Sequence, residues 1–229
     1  MAGSLYVVAT PIGNLKDITL RAIDILKDVD IILAEDTRVT QKLLNFLATS
    51  YHLLPTARLL SYHAHSGEER KFEILNSLLD GKNIALVSDA GTPGISDPGN
   101  ELIDFLLLYK PDLEIVPVPG PSALTAALSV SGFRTDRFLF LGFWPKKKVG
   151  KLIDLIEKTR VNLVFYESPY RIINTLTILE KSFGPDIRIF VGRELTKIHE
   201  TLYRGKILEV VSLLSKVRLK GELVIVVEL

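Results

Sequence analysis

Short apolar segments alternate with helical segments through the first half of the chain, and this alternation restricts the possible folds more than any other feature. Residues 5–9, 31–34 and 84–88 are brief, continuously apolar and rich in β-branched side chains, as strands buried on both faces usually are. Weaker strands are predicted at residues 58–62 and 113–118. Because helical segments separate these strands, the sequence predicts βαβ units and a mostly parallel sheet.

Four helices are predicted between these strands, at residues 18–26, 40–47, 66–81 and from about 100 to 108. The third has the clearest signals. Ser66 is placed to cap its first turn, with Glu69 completing a capping box, and Gly81 follows the last turn.

The pattern changes after residues 116–122, which hold three prolines and a glycine and are a candidate hinge. We therefore predict two α/β domains, residues 1–117 and 118–229, the second with a mixed sheet. Its predicted strands are residues 138–141, 162–166, 187–191, 200–205 and 223–227. Its predicted helices are residues 122–131, 147–158, 170–181 and 206–214.

Composition is typical of a soluble globular protein, with 47% hydrophobic and 24% charged residues and a net charge of +1. The absence of cysteine excludes disulfides, thiolate zinc sites and cysteine nucleophiles. The N-terminal segment lacks the basic region of a signal peptide, and no apolar stretch approaches the ~20 residues that span a bilayer. We expect a cytoplasmic protein without membrane contact, and any RNA contact must come from a local patch.

A glycine- and proline-rich loop, residues 89–99, follows the fourth predicted strand. Glycines let a backbone approach a ligand closely and prolines fix the loop shape. Parallel sheets bind ligands at the carboxyl ends of their strands. A ligand loop, with Asp89 accepting hydrogen bonds from ribose hydroxyls, is one interpretation. A long turn capped by Asp89 and Asp97 is the other.

Two further strand ends carry polar groups. The loop at residues 10–14 lacks dinucleotide and phosphate-loop glycine patterns, so it is either a connecting turn or a different ligand contact. Asp36 and Arg38 follow the second strand as a helix cap or a substrate clamp. His63 and His65 follow the third strand, and we weigh metal binding below a substrate hydrogen bond or a plain surface loop.

The second half of the chain holds charged residues that are candidates for substrate contacts, and each group has two interpretations. Lys146, Lys147, Lys148 and Lys151 cluster around a predicted helix start and form either a solvated face or a phosphate-contacting patch. Residues 193–197 follow a predicted strand, and internal ion pairs would explain their charges as well as a substrate contact would.

Taken together, these motifs resemble the ribosomal RNA small subunit methyltransferase I family, which has a tetrapyrrole-methylase-like fold. The segments that carry the resemblance are residues 5–15, 34–38, 86–99, 117–123, 165–169 and 193–197. Many members continue with a small helical C-terminal extension, whereas this sequence ends at Leu229.

The resemblance implies a homodimer with S-adenosylmethionine bound in a cleft between an N-terminal, mostly parallel domain and a C-terminal, mixed one. It implies methyl transfer to the 2′-hydroxyl of a cytidine in the decoding region of the small ribosomal subunit (16S rRNA). The implied cofactor-binding residues are Pro11, Asp89, Gly91, Pro93, Ile95, Ser96, Gly120, Ser122, Ala123, Phe165, Tyr166 and Leu195.

A ribose hydroxyl is a weak nucleophile, so a catalytic base is expected. Asp36 is the first candidate, followed by His63 and Glu167, with Arg38 also in the catalytic set. The expected substrate-binding residues are Asn14, Arg193, Lys197, Lys146 and Lys147, and no metal site is expected.

Two other functions stay open from the sequence. One is a tetrapyrrole C-methyltransferase on the same fold, which the motifs at residues 34–38 and 193–197 disfavour. The other is a non-catalytic RNA-binding module, which would need a more basic surface than a net charge of +1 supplies.

Overall fold

The computed structural model describes residues 1–52 and 56–229 and divides the chain into two compact units. The first unit is Met1–Ser122 and the second is Ala123–Leu229. The sequence predicted a boundary after residue 117.

The first unit is a five-stranded, all-parallel sheet with strand order β3-β2-β4-β1-β5. The predicted parallel sheet is confirmed. Its strands are β1 (Leu5–Val8), β2 (Ile31–Ala34), β3 (Arg58–Ser61), β4 (Ile84–Val87) and β5 (Ile115–Val118). Its helices are α1 (Leu20–Asp28), α2 (Thr37–Tyr51), α3 (Glu68–Leu79) and α4 (Asn100–Tyr109), with a short 3-10 helix at Leu15–Asp17.

The continuous apolar runs of β2 and β4 supply two cores at once. Ile32 and Val87 lie in the core with residues of α1 and α2, whereas Leu33 and Leu86 lie in the core with residues of α3 and α4. Because neighbouring side chains of a strand point to opposite faces, a sheet covered on both sides needs apolar residues at every position. The observed layers therefore explain why these strands lack polar alternation.

The strand order places a topological switch point between β2 and β4. The chain leaves β2 through α2 toward the outer strand β3, and it leaves β4 through α4 toward β5 on the other side. These two helices pack on opposite faces of the sheet. Ligands of open parallel sheets bind in the crevice that such diverging connections leave at the carboxyl ends of the strands.

The second unit has a five-stranded mixed sheet with strand order β6-β7-β10-β8-β9, in which only β6 and β7 are parallel. The predicted mixed sheet is confirmed, including the strand expected near residues 200–205. Its strands are β6 (Phe138–Phe143), β7 (Asn162–Glu167), β8 (Arg188–Arg193), β9 (Thr201–Lys206) and β10 (Leu223–Glu228). Its helices are α5 (Ala123–Ser131), α6 (Val149–Thr159), α7 (Ile172–Phe183) and α8 (Ile207–Ser215).

Several predicted helix starts differ from the structure by two or three residues, and two of them have a clear local cause. Helix α3 is capped by Gly67, and the Ser66 hydroxyl instead accepts a hydrogen bond from the His63 backbone N–H at 2.9 Å. Helix α6 begins at Val149 rather than at residue 147, since Lys148 adopts a left-handed conformation with φ of 60°. In both places a local turn competes with the first helical residues.

The longest helix among the described residues is α2, with 15 residues. At 1.5 Å per residue it extends about 22 Å, which is shorter than the ~30 Å hydrocarbon core of a bilayer. No helix in residues 1–52 and 56–229 is long and apolar enough to cross a membrane.

Packing in the second unit predicts that two phenylalanines contribute very differently to the free energy of unfolding. Phe165 is fully buried and its ring centroid lies 4.8 Å from that of Trp144, whereas Phe138 is 38% exposed. We expect Phe165→Ala to lower the free energy of unfolding by about 3–5 kcal/mol. The matched control Phe138→Ala should lower it by about 1 kcal/mol or less. Urea denaturation followed by circular dichroism measures both, and equal losses would contradict this description of the core.

Candidate active site

The carboxyl edge of the first sheet brings together polar residues that are far apart in the sequence. Along the strand order, His63 follows β3, Glu35 and Asp36 follow β2, Asp89 follows β4 and Thr10 follows β1. Glu35 and Asp89 thus flank the switch point between β2 and β4. The sequence-based expectation that the unusual loops share one edge agrees with this arrangement.

Backbone hydrogen bonds join the loops at this edge. Thr10 and Gly91 exchange two N–H···O bonds of 2.8 and 3.0 Å, which link the loop after β1 to the loop after β4. The Thr10 hydroxyl donates to the Ser88 carbonyl at 3.1 Å. The Thr92 hydroxyl donates to the Pro121 carbonyl at 3.3 Å, which extends the connection to the segment after β5. The three loops therefore support one another.

Two glycines in these loops have no spare room for a side chain. Gly94 has a φ of +83°, and an added Cβ would lie 2.5 Å from the Asn100 side-chain oxygen. The Asn100 amide donates to the Gly94 carbonyl at 2.9 Å and holds this turn closed. At Gly120 an added Cβ would lie 3.1 Å from the Cβ of Ala9. The positive φ therefore favours glycine at position 94, and a side chain at position 120 would crowd Ala9.

Two carboxylates at the switch point retain more affinity for protons than ordinary acidic side chains. Burial is the main reason that the pKa values of Glu35 and Asp89 are raised, and each carboxylate is repelled by acidic neighbours. Asp89 Oδ1 accepts the Asp36 backbone N–H at 2.9 Å, and the Asp89 N–H points to Glu35 Oε2 at 3.5 Å. Sequence reasoning did not include Glu35 among the catalytic candidates.

Asp36 is instead committed to local structure. Its side chain caps α2 by accepting the Arg38 backbone N–H at 2.8 Å and lies 2.6 Å from Arg38 Nη2. These hydrogen bonds to Arg38 lower the pKa of Asp36 to about 2. A carboxylate that acidic is a weak base, so the structure does not support Asp36 as the proton acceptor. Pairing with Asp36 likewise raises the pKa of Arg38.

His63 lies at the outer end of the same edge. Its Nδ1 accepts the His65 backbone N–H at 3.2 Å, so the two histidines form a local turn. Among residues 1–52 and 56–229, no cluster of three or more histidine, cysteine or acidic side chains could hold a metal ion.

Glu167, the third candidate base, lies in the second unit, where other protein groups contact its carboxylate. Its side chain is 1% exposed and lies 3.2 Å from Arg171. It accepts hydrogen bonds from the Thr175 hydroxyl at 2.7 Å and from the Ser168 backbone N–H at 2.6 Å. Protein groups engage both carboxylate oxygens, which makes Glu167 part of the support for the start of α7.

The candidate cofactor contacts of the second unit differ in accessibility. Phe165 is fully buried against Trp144, so its side chain belongs to the core rather than to a ligand surface. The Tyr166 ring contacts Phe140 and Phe143, with ring centroids 5.3 and 5.5 Å apart. Leu195 is 8% exposed. Tyr166 and Leu195 stay predictions.

Arg193 and Lys197 were expected to bind substrate, but intramolecular contacts hold both. Arg193 donates to two backbone carbonyls, of Lys220 at 2.9 Å and of His199 at 3.3 Å. Lys197 Nζ lies 3.0 Å from Glu194 and 2.8 Å from Glu222. Burial alone would lower the pKa of Lys197, yet these two carboxylates raise it. The alternative of internal ion pairing therefore describes this loop.

The same ion pairs hold a strained turn. Glu194 and Thr196 both have left-handed backbones, with φ of 53° and 66°. Non-glycine residues adopt this conformation only where the surroundings fix it. The contacts of Lys197 with Glu194 and Glu222 supply that constraint and fix the position of Leu195 between the two strained residues.

The remaining candidates have simpler positions. Asn14 caps the short 3-10 helix, its side chain accepting the Lys16 N–H at 3.1 Å. Lys146 and Lys147 are exposed after β6. Of the other candidate cofactor contacts in the first unit, Pro11 and Pro93 are buried, Ile95 and Ser96 are exposed and Ser122 is half-buried. Ala123, also half-buried, is the first residue of α5.

Comparison with known proteins decides the family. The family model described as Tetrapyrrole (Corrin/Porphyrin) Methylases matches residues 4–211. The chain belongs to this family. The resemblance and the fold expected from the sequence are confirmed.

Relatives within the tetrapyrrole methylase family are similar over nearly all of this chain. Ribosomal RNA small subunit methyltransferase I of Thermotoga maritima is 44% identical over 225 residues, covering 98% of this chain and 97% of that protein. The protein of the same name from Synechocystis sp. is 44% identical over 227 residues, covering 98% of this chain and 78% of the relative.

A solved tetrapyrrole methylase structure shares the fold. Uroporphyrin-III C-methyl transferase from Thermus thermophilus, complexed with S-adenyl homocysteine, superposes with a TM-score of 0.67 and is 20% identical. The match covers 98% of this chain and 97% of that one. At this level of identity the likeness concerns the fold.

The pairing of Asp36 with Arg38 predicts a measurable pKa change. We expect the pKa of Asp36 to rise from about 2 toward the ordinary value of about 3.9 in Arg38→Gln, because the charged hydrogen bonds are lost. In the wild type this pairing stabilises the folded state above about pH 4, and the contribution is lost as the pH falls through about 2. Carboxyl ¹³C NMR titration of labelled aspartate measures the shift.

Asp112 is the internal control for this titration, because Lys110, 2.5 Å away, lowers its pKa and Arg38 has no part in it. Its titration should be the same in both proteins. An unchanged Asp36 midpoint in Arg38→Gln would contradict the pairing.

Proposed function

We propose that this protein transfers the methyl group of S-adenosylmethionine to the ribose 2′-hydroxyl of a cytidine in the decoding region of small-subunit (16S) ribosomal RNA. The observation that carries the proposal is the 44% identity, over nearly the whole chain, to proteins named Ribosomal RNA small subunit methyltransferase I. The carboxylates at the switch point of the first sheet supply the chemistry that such a transfer needs.

The residues at this edge fit S-adenosylmethionine, which supplies a methyl group bound to a cationic sulfonium. Asp89 and Glu35 offer negative charge at the strand ends, where parallel sheets bind ligands. The tight turns at Gly94 and Gly120 leave backbone close to that edge. Asp89 keeps one carboxylate oxygen, Oδ2, outside its hydrogen bond with the Asp36 N–H. We propose that Asp89 and the loop of residues 89–97 hold the methyl donor.

Glu35 is the best base that the structure offers for the ribose hydroxyl. A base works best when its pKa approaches the working pH, and burial moves the pKa of Glu35 in that direction. Asp36, one residue away, is moved in the opposite direction by Arg38. We therefore replace Asp36 by Glu35 as the proposed proton acceptor and assign Asp36 the cap of α2.

The two alternatives are less well supported. The likeness to tetrapyrrole C-methyltransferases is 20% identity with a common fold, compared with 44% identity to the ribosomal RNA enzymes. A non-catalytic RNA-binding module would have no use for two carboxylates with raised pKa values at the strand ends.

We also propose that the protein works in the cytoplasm, as a homodimer, on the small ribosomal subunit. The substrate named for its relatives supports the location and the ribosomal substrate, whereas the homodimer is what the family resemblance implies. Sedimentation of the purified protein measures the oligomeric state, and a monomer at micromolar concentration would contradict the dimer.

A methylation assay with two substrates tests the proposed function. Small ribosomal subunits lacking ribose methylation and uroporphyrinogen III are each incubated with the protein and radiolabelled S-adenosylmethionine. We expect label only in 16S rRNA, at a nuclease-resistant 2′-O-methylcytidine identified by mass spectrometry. S-adenosylhomocysteine at about 100 times its dissociation constant should stabilise the fold by about 2.7 kcal/mol. Label in the porphyrinogen, or no stabilisation, would overturn the proposal.

Substitution of neighbouring acids tests the proposed base. Glu35→Gln should lower turnover by about 10²- to 10⁴-fold, because general base catalysis is lost while the shape of the side chain is kept. Asp36→Asn is the matched control. Asparagine also caps helices well, so turnover should fall by less than about tenfold. Both variants should bind S-adenosylhomocysteine like the wild type in calorimetry. A larger loss in Asp36→Asn than in Glu35→Gln would reverse the assignment.

A further inference from the structure

Two large aromatic side chains are exposed at one end of the second sheet. Phe143 ends β6 and is 64% exposed, and Tyr170 follows β7 and is 91% exposed. Because β6 and β7 are parallel, their carboxyl ends lie at the same edge. The backbone N–H of Trp144 donates to the Tyr166 carbonyl at 3.0 Å, which joins the segment after β6 to the end of β7. Both exposed rings therefore lie at this edge of the second sheet.

The backbone of β6 is irregular where it presents Phe143. The pairing register runs from Phe140 opposite Val164 to Phe143 opposite Tyr166, so β6 holds one extra residue in this interval. Gly142, within the interval, has a φ of +63°. Bulges of this kind change the direction in which a side chain points. Their position here indicates that the exposure of Phe143 is built into the strand.

Four lysines follow Phe143 closely in the chain. Lys146, Lys147 and Lys148 follow β6 after two intervening residues, and Lys151 lies in the first turn of α6, where no acidic residue is present. All four are exposed, and none forms a salt bridge with another described residue. Cations at the start of a helix oppose its dipole. An anionic partner would offset both the mutual repulsion and this conflict.

We propose that Phe143, Tyr170, Lys146, Lys147, Lys148 and Lys151 form a surface, here called the aromatic–lysine surface, that binds a single-stranded segment of the substrate RNA. Aromatic rings stack on bases of any sequence, and lysines contact the phosphates between them. An RNA duplex keeps the faces of its bases stacked inside the helix, so exposed rings fit unpaired nucleotides better. This inference rests on the proposed function, which supplies ribosomal RNA as the substrate.

An RNA-binding assay tests the aromatic–lysine surface independently of methyl transfer. The probe is a fluorescent, pyrimidine-rich 12-nucleotide RNA in an anisotropy titration. Phe143→Ala and Tyr170→Ala should each weaken binding by about 5- to 100-fold, the loss expected for one stacked base. Phe143→Trp should keep wild-type affinity, since it retains an aromatic face. The Lys146→Ala/Lys147→Ala double variant should reduce the salt dependence of log Kd by about 1.4, or about 0.7 per lost phosphate contact.

Matched controls come from other elements of the chain. Tyr109→Ala removes a 54% exposed ring from α4, and Lys216→Ala removes an exposed lysine after α8. Both should bind the RNA with wild-type affinity. A hairpin duplex of the same length should bind the wild type and Phe143→Ala equally. If the control variants lose as much affinity as Phe143→Ala, or if the duplex shows the same loss, the aromatic–lysine surface is not a single-strand site.

The failures of the two proposals can be told apart. Phe143→Ala should bind S-adenosylhomocysteine like the wild type and methylate small subunits more slowly. If the wild type methylates subunits but Phe143→Ala and Tyr170→Ala bind RNA and methylate normally, only the aromatic–lysine surface is refuted. If the wild type methylates no RNA, the proposed function fails. If Phe143→Ala and Tyr170→Ala lose the binding to phosphatidylserine vesicles that the wild type shows, while their RNA binding is unchanged, the surface binds a membrane instead.

Discussion

The candidate active site depends on the insertion of β4 between β1 and β2. In the parallel register Ile84 lies opposite both Leu5 and Ile31, so all three strands start at the same level and reach the carboxyl edge together. Hydrogen bonding on both sides holds β4 in place. Glu35 and Asp89 meet only because of this insertion, since 54 positions of sequence separate them. The site is therefore a product of strand order.

Neighbouring acids at that edge differ because their surroundings differ. Glu35 is partly buried, and this burial disfavours its charged form and raises its pKa. Asp36 turns toward the first turn of α2, where backbone N–H groups and the Arg38 guanidinium stabilise its charge and lower its pKa. Two carboxylates that are adjacent in the sequence thus differ in proton affinity, because one is partly buried and the other is held by Arg38. This contrast is the physical basis for choosing Glu35.

Much of the fold could be predicted from the sequence, because the spacing of apolar residues and the alternation of strands and helices are local properties. Both sheets follow from these patterns, as does the grouping of polar loops at one edge. The local hydrogen bonds that decide individual roles could not be predicted. Ser66 looked like a helix cap but bonds to His63, and Glu167 looked like a base but is buried with Thr175 and Arg171. Such roles depend on partners that only the folded chain supplies.

The distribution of charge could not be predicted from the sequence either, because a net charge of +1 does not show where the basic and acidic side chains lie on the surface. Lys197 has two carboxylates within 3.0 Å and is neutralised inside the fold, although its motif suggested a substrate contact. Lys146 and its basic neighbours have no such partner among the described residues and lie beside exposed aromatic rings. The net charge therefore understates how basic this part of the surface is. What attracts a polyanion is the local excess of cations that the fold leaves unpaired.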